Sequence, residues 1–353
     1  NNIFITKYGV SMTHNKLWID MINPSDVQFF NSLLKDLYEY EIISTTRNRA
    51  ETVDLADYFK INNTVVGRDY TNPAKKILGM IFRTLDLSLI TPRFDCSLSF
   101  ENGMSVFVSK LRRKKSIMYC DNDLKFIQKK SSIQDFETKL KSLADFTIVP
   151  KVCYDNFKNY YDESKLLAFD GIKEDIYIAD YIPNSSFLDT LPFENFIVVR
   201  PEALASIYVK DKESIVPELL NAFTKENINV VYIPRDEGDA RYAEGTNVFI
   251  PERAFNGLDL CYYADAILTG SGTLAREAAC MGTTSISFFP SSILLSPDQY
   301  LVDEGRIFHS RNVENIVDYV ISRKNNQPVD LSKSKKAKDS VVSMTKEILE
   351  GDQ

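Results

Sequence analysis

Short apolar runs alternate with segments in which apolar residues recur every three or four positions, and this alternation sets the plan of the chain. Residues 17–21 read as a buried strand, after which Val27, Phe30, Leu33, Leu34 and Leu37 share one face of a helix with Ser25 as its N-cap. Residues 41–46 form a second strand. Further strands are expected at 95–100, 116–120 and 146–149, with helices reaching Leu111 and covering about 134–143. Residues 181–195 are rich in turn formers, hold Pro183 and Pro192, and read as a linker between domains. The pattern then restarts: strands at 196–199, 229–233 and 247–250, and helices near 214–225 and 258–263. An apolar run at 266–268 follows, then the turn Thr269-Gly270-Ser271-Gly272-Thr273, a helix carrying Glu277, and another strand at 285–289. Helices at 298–303 and 313–322 and a final one at 334–349, with Val341, Met344, Ile348 and Leu349 on one face, complete the reading.

Strand and helix alternating twice over, across a linker, predict an α/β protein with two Rossmann-like domains, their mainly parallel sheets facing across a cleft. The expected boundaries are an extension at 1–16, with Met12 a candidate start, a first domain at 17–185, a second at 186–330, and a closing helix at 331–353 that packs back on the first domain.

Composition narrows the functions. At 353 residues with 44% hydrophobic and 26% charged side chains, the chain can bury two full cores. A net charge of -7 argues against a protein whose main role is to grip nucleic acid. Cys96, Cys120, Cys153, Cys261 and Cys280 are scattered, without a CxxC pair, and are expected to be reduced and mostly buried in a cytoplasmic protein. With His14 and His309 the only histidines, no zinc site is expected. No apolar run approaches the roughly 20 residues of a membrane span.

The chemistry gathers at strand ends, where parallel sheets place ligands. The GSGT turn can bring backbone close to a ligand, and the helix start behind it favours an anion; a tight turn with nothing bound is the alternative. GSGTLA also satisfies the dinucleotide pattern G-x-G-x-x-A, but the next strand ends in Phe288-Phe289-Pro290 without the ribose-binding acid, so NAD is rejected. In the first domain Asn23 and Asp26, Glu101, and Asp121 with Asp123 follow successive strands. Asp121-Asn122-Asp123 spells DxD, a pattern able to hold a divalent ion; a metal-free role at the strand end is preferred, and no metal is assigned. The basic run 110–115 reads as a solvated helix end, with an anionic lipid surface or lipid-linked phosphate as the sharper reading.

Five strings carry a resemblance: WIDMINPSDVQFF (18–30), FDGIKEDIYI (169–178), IVVRPEALASIY (197–208), VVYIPRD (230–236) and DAILTGSGTLAREAACMGTTSISFF (265–289). The chain resembles the GT-B-like superfamily of nucleotide-sugar glycosyltransferases and UDP-N-acetylglucosamine 2-epimerases, and within it an archaeal and bacterial domain-of-unknown-function family, number 354. The resemblance implies that Gly270, Ser271, Gly272 and Thr273 meet a diphosphate and that Glu277 accepts the ribose hydroxyls. Arg200 and Arg235 are placed to pair with phosphate oxygens and Arg276 is a further candidate, with a surface or interdomain salt bridge as the alternative for each and the preferred one for Arg276. The segment around Ile250 is where this superfamily's base-binding loop runs. Where the family has a histidine after the proline of its first strand-end loop, this chain has Asp26, so a carboxylate takes the place of an imidazole.

The expected function is a glycosyltransferase using a UDP-sugar, UDP-GlcNAc or a relative, in cell-envelope or glycan biosynthesis. Asp26, Glu101, Asp121 and Asp123 are the catalytic candidates; Asn23, Ser25, Arg200, Arg235, Ile250, Gly270, Ser271, Gly272, Thr273, Arg276 and Glu277 are the substrate-binding ones. No cofactor beyond the substrate is expected, and the partners are a nucleotide-sugar donor and a glycan or lipid-linked acceptor, with peripheral contact to the inner face of the membrane. The alternatives are a non-hydrolysing UDP-sugar 2-epimerase and a non-catalytic nucleotide-sugar-binding protein. Against the epimerase, the arginine- and lysine-bearing loop such enzymes carry after their first strand is replaced by residues 21–26.

Overall fold

The computed structural model describes residues 15–70, 73–127, 132–204, 213–243, 248–253, 255–323 and 329–351. The expected extension at 1–16 therefore falls almost wholly outside the described residues. Two parallel sheets organise the rest. The first holds β1 (Lys16–Met21), β2 (Glu41–Asn48), β3 (Asn63–Arg68), β4 (Cys96–Phe100), β5 (Lys115–Tyr119), β6 (Phe146–Pro150) and β7 (Leu166–Phe169), in the order β3-β2-β1-β4-β5-β6-β7. The second holds β8 (Ile197–Arg200), β9 (Val230–Tyr232), β10 (Ala266–Thr269), β11 (Thr284–Ser287) and β12 (Ile307–His309), in the order β12-β11-β10-β8-β9. This is the GT-B-like arrangement of two Rossmann-like domains. In each sheet the order reverses beside one strand, between β1 and β4 and between β10 and β8, and a crevice opens at such a switch point.

Apolar residues on both faces of the central strands explain the layering. Leu17, Ile19 and Met21 of β1 pack against Phe29, Phe30 and Leu33 of the helix Pro24–Leu34, while Trp18 points the other way onto Phe94 and Leu87. Ala337, Val341, Ile348 and Leu349 of the helix Ser332–Glu350 complete the first of these cores. In the second domain Leu274, Ala275 and Ala278 of the helix Gly272–Met281 cover one face of β8 and β10.

Three local expectations need correction. The helix at 24 begins at Pro24 with Asn23 as the cap, because proline's fixed φ and missing N–H suit the first helical position; Ser25 is its second residue. Residues 248–250 form no strand, only an isolated bridge from Phe249 to Val231. Between Thr46 and Asp95 the chain carries a helix Thr52–Tyr58, the edge strand β3 and a long helix Pro73–Ile90, none of which the pattern announces. The five cysteines are buried free thiols. No helix among the described residues is long and apolar enough to cross a membrane.

Candidate functional site

The second-domain half of the crevice is built at the ends of β8 and β10, which pair Arg200 with Thr269. Gly270 donates its N–H to the Arg200 carbonyl at 3.1 Å and packs so tightly on the neighbouring loop that a Cβ would lie 2.5 Å from the Glu202 Cα. Its glycine is thus demanded by backbone approach between the two strand ends. Ser271 N–H is taken by Thr269 Oγ1 at 2.9 Å. Gly272, Thr273 and Leu274 open the helix Gly272–Met281, which has no side-chain cap, and their N–H groups have no protein acceptor among the described residues. Three unpaired amides at the positive end of a ten-residue helix form a site for an anion.

Arg200 lies beside them. No hydrogen bond or ion pair ties its guanidinium among the described residues, and burial lowers its pKa against the opposing pull of Glu51, Glu277 and Asp239. A half-buried cation without a partner is costly unless an anion joins it. Arg235, at the end of β9, donates Nε to the Pro201 carbonyl at 2.9 Å; burial and the nearby charge of Arg200 both lower its pKa. Glu277, one turn into the helix, accepts from the Tyr177 hydroxyl at 2.6 Å, and burial pushes its carboxyl up to about 7. Ile250 packs partly buried on the second-domain core.

The first-domain half is organised by Asp26. Its Oδ2 accepts the N–H groups of Ile22 and Asn23 at 3.0 and 2.9 Å, which fixes the strand-to-helix loop in the manner of a capping box. Burial raises this carboxyl to about 7, with the two backbone donors and Lys173 opposing. Asn23 accepts from Arg49 Nη1 at 2.7 Å. Behind them Asp20 is gripped by Arg83 through two bonds of 2.9 and 2.7 Å and by Asn102 at 2.7 Å.

The other carboxylates expected as acid–base groups are committed elsewhere. Glu101 pairs with Lys141 at 2.6 Å; burial alone would raise it, but Lys141 and Lys125 hold it down to about 2. It stays ionised across the neutral range and is a structural anchor. Asp121 faces Lys173 at 3.4 Å, and Asp123 accepts from Ser296 N–H at 3.1 Å and Asn156 at 2.8 Å, which ties the first domain to the second. The two acids of the DxD pattern therefore serve different partners.

Arg276 takes the salt-bridge role and not the phosphate-binding one. Its terminal nitrogens bind Asp298 at 2.7 Å and Glu174 at 2.9 Å in a buried setting, so its charge is already met by two carboxylates. The short helix Lys173–Ile178 supplies the partners that the sequence pattern did not single out. Lys173 meets Asp121, Glu174 meets Arg276, Asp175 takes the Ser334 hydroxyl at 2.7 Å and Tyr177 reaches Glu277. A signal was present: three consecutive charges at 173–175, flanked by Ile172 and Ile176, are too polar for a core helix and too apolar at their flanks for a surface one.

The model of a family described as "Protein of unknown function (DUF354)" matches residues 15–350. The chain belongs to the DUF354 family. Another relative, an uncharacterized protein of Methanocaldococcus jannaschii, is 24% identical over 328 residues, covering 88% of this chain and 92% of its own length. Among solved structures, the DUF354 chain resembles UDP-GlcNAc 2-epimerase from Methanocaldococcus jannaschii with a TM-score of 0.68, 13% identity, and coverage of 94% of this chain and 99% of that one. For UDP-N-acetylglucosamine 2-epimerase from Rickettsia bellii the values are 0.70, 15%, 96% and 95%. A glycotransferase of kitacinnamycin gives 0.61, 9%, 96% and 98%. At these identities the likeness establishes the fold of this DUF354 member.

Proposed function

We propose that this DUF354 protein binds a UDP-sugar in the crevice and acts on it as a non-hydrolysing UDP-sugar 2-epimerase. The observation that carries the reading is that, among the described residues, the amides of Gly272, Thr273 and Leu274 have no acceptor and the guanidinium of Arg200 has no partner, the two groups following the paired ends of β10 and β8. That combination suits a diphosphate, with Arg235 as the second cation. Glu277 would hold the ribose hydroxyls, and the backbone near Ile250 the base. The sugar would then lie against the first domain beside Asp26. Inversion at C2 needs a proton to leave and one to return, and a carboxyl near 7 exchanges protons readily at neutral pH. The fold shared with solved 2-epimerases supports this choice of reaction.

A second reading, a glycosyltransferase of glycan biosynthesis with a glycan or lipid-linked acceptor, draws support from a specific observation. Glu101 is held ionised by Lys141 and Lys125 and Asp123 is bound by Ser296 and Asn156, while burial raises both Asp26 and Asp121, and one such base is what a transferase requires. Proton NMR of the protein with UDP-GlcNAc separates the readings. A C2 epimer without acceptor supports the first, and UDP released only with acceptor supports the second. Binding without turnover leaves a non-catalytic sensor, and no binding to UDP or UDP-GlcNAc refutes the site.

A further inference from the structure

At the first-domain strand ends lies an ion pair that its own surroundings do not satisfy. Lys173 opens the short buried helix Lys173–Ile178, and Asp121 stands just past β5. Both side chains are 8% exposed, yet Lys173 Nζ lies 3.4 Å from Asp121 Oδ2 and 3.7 Å from Glu174 Oε1. Neither the ammonium nor the Asp121 carboxylate makes a hydrogen bond among the described residues. The ammonium's other neighbour is the Phe100 ring, 5.2 Å away. Comparable buried lysines are held closer: Lys141 meets Glu101 and Glu137 at 2.6 and 2.7 Å, and Lys338 meets Asp180 and Asp36 at 2.6 and 2.7 Å. Lys125, 3.7 Å from Glu101, faces an acid that Lys141 already holds. A buried ion pair offsets its desolvation only when its remaining donors and lone pairs are bonded too, and at Lys173 and Asp121 they are left over.

The place of the pair says what it would bind. Phe100 ends β4 and Asp121 follows β5, beside the switch point of the first sheet, where a ligand sits. Three contacts link Lys173 to the amide cradle of the second domain. A Cβ on Gly272 would lie 3.0 Å from Arg276 Nη1, Arg276 Nη2 is 2.9 Å from Glu174 Oε1, and that oxygen is the one 3.7 Å from Lys173 Nζ. The charge of Lys173 also acts on Asp26. The pair thus lies where the sugar of a nucleotide held at Gly272 would extend toward Asp26. A donor-only ammonium beside an acceptor-only carboxylate complements two neighbouring hydroxyls, each able to donate and accept. In an N-acetylhexosamine joined through its anomeric carbon, those are the 3- and 4-hydroxyls.

We propose that Lys173 and Asp121 form the subsite for the vicinal diol of the sugar, an assignment that rests on the nucleotide-sugar reading above.

Calorimetry of the full chain with UDP, UDP-GlcNAc and its 3-deoxy and 4-deoxy analogues tests this. The wild type is expected to bind each deoxy analogue roughly 10- to 100-fold more weakly than UDP-GlcNAc, the usual worth of a hydrogen bond to a charged group. Lys173→Met is expected to erase most of that discrimination while UDP binds as in the wild type, and Lys173→Arg, which keeps charge and donors, to retain part of it. A wild type that binds UDP-GlcNAc and both analogues equally overturns the proposal without recourse to any variant, and so does discrimination that survives Lys173→Met. If UDP itself does not bind, the nucleotide reading falls and this subsite with it; if UDP binds and the deoxy sugars are not distinguished, the subsite alone falls.

Discussion

Replacing Asp26 by Asn tests whether one carboxyl both strains the fold and serves the chemistry. The carboxyl sits at about 7 in the folded protein against a usual 3.8, so folding favours its neutral form. A group raised on folding contributes fully below its unfolded pKa, and that contribution is lost as pH rises through the folded one. At about 1.4 kcal/mol per unit, wild-type Asp26 costs about 1.5 kcal/mol at pH 5 and about 4 kcal/mol at pH 8. Asn keeps an oxygen for the Ile22 and Asn23 N–H groups and does not titrate. The stability difference between Asp26→Asn and wild type, from urea unfolding, should therefore shift by about 2.5 kcal/mol in the variant's favour between pH 5 and 8. Turnover should fall by roughly 100-fold or more while UDP binding persists. A stability difference that does not change with pH would refute the burial argument, and undiminished turnover would remove Asp26 from the chemistry.

Arg200→Ala should weaken UDP binding by roughly 10- to 100-fold in calorimetry with no loss of thermal stability, because no protein partner is abandoned. Arg276→Met should behave in the opposite way: leaving Glu174 and Asp298 buried without their cation costs about 3–5 kcal/mol in denaturant unfolding. Glu101 is lowered to about 2 from 4.5, so its contribution is present above pH 4.5 and lost as pH falls through 2. The deficit of Glu101→Gln should then be about 3 kcal/mol at pH 7 and shrink steadily in acid.

The alternation of strands and helices was legible wherever a run of one period was flanked by turn residues, as at β1, β2, β4, β10 and the helix Val313–Ser322. The helix Pro73–Ile90 escaped because it is apolar on both sides, one facing the core and the other solvent, so it shows no single stripe. The strands β7 and β12 went unread although β9 and β10 are no longer; β12 offers only Ile307 and Phe308 as apolar residues, between Arg306 and His309, and β7 follows directly on the charged Glu163 and Lys165. At the candidate site, the strand, GSGT turn and helix could be read from local sequence because a helix start is a local object. Arg276 could not: its carboxylates lie 102 and 22 positions away, and the choice between a phosphate and a buried acid is made by tertiary packing. Asn23 and Ser25 are equally good caps in isolation, and Pro24 decides between them.

The helix Ser332–Glu350 belongs to the core of the first domain although it follows the second in the chain. Tyr119 bonds Thr345 at 2.8 Å, across 226 residues, and Lys115 bonds the Ile348 carbonyl across 233. During synthesis, β1, β4 and β5 emerge long before the segment that seals them, and the second domain, continuous in sequence, can close first. The nascent first domain thus holds an open apolar groove, shaped for this one helix, throughout translation of the second. Premature termination after β12 would release a chain whose second sheet is intact and whose first is a substrate for chaperones or proteases.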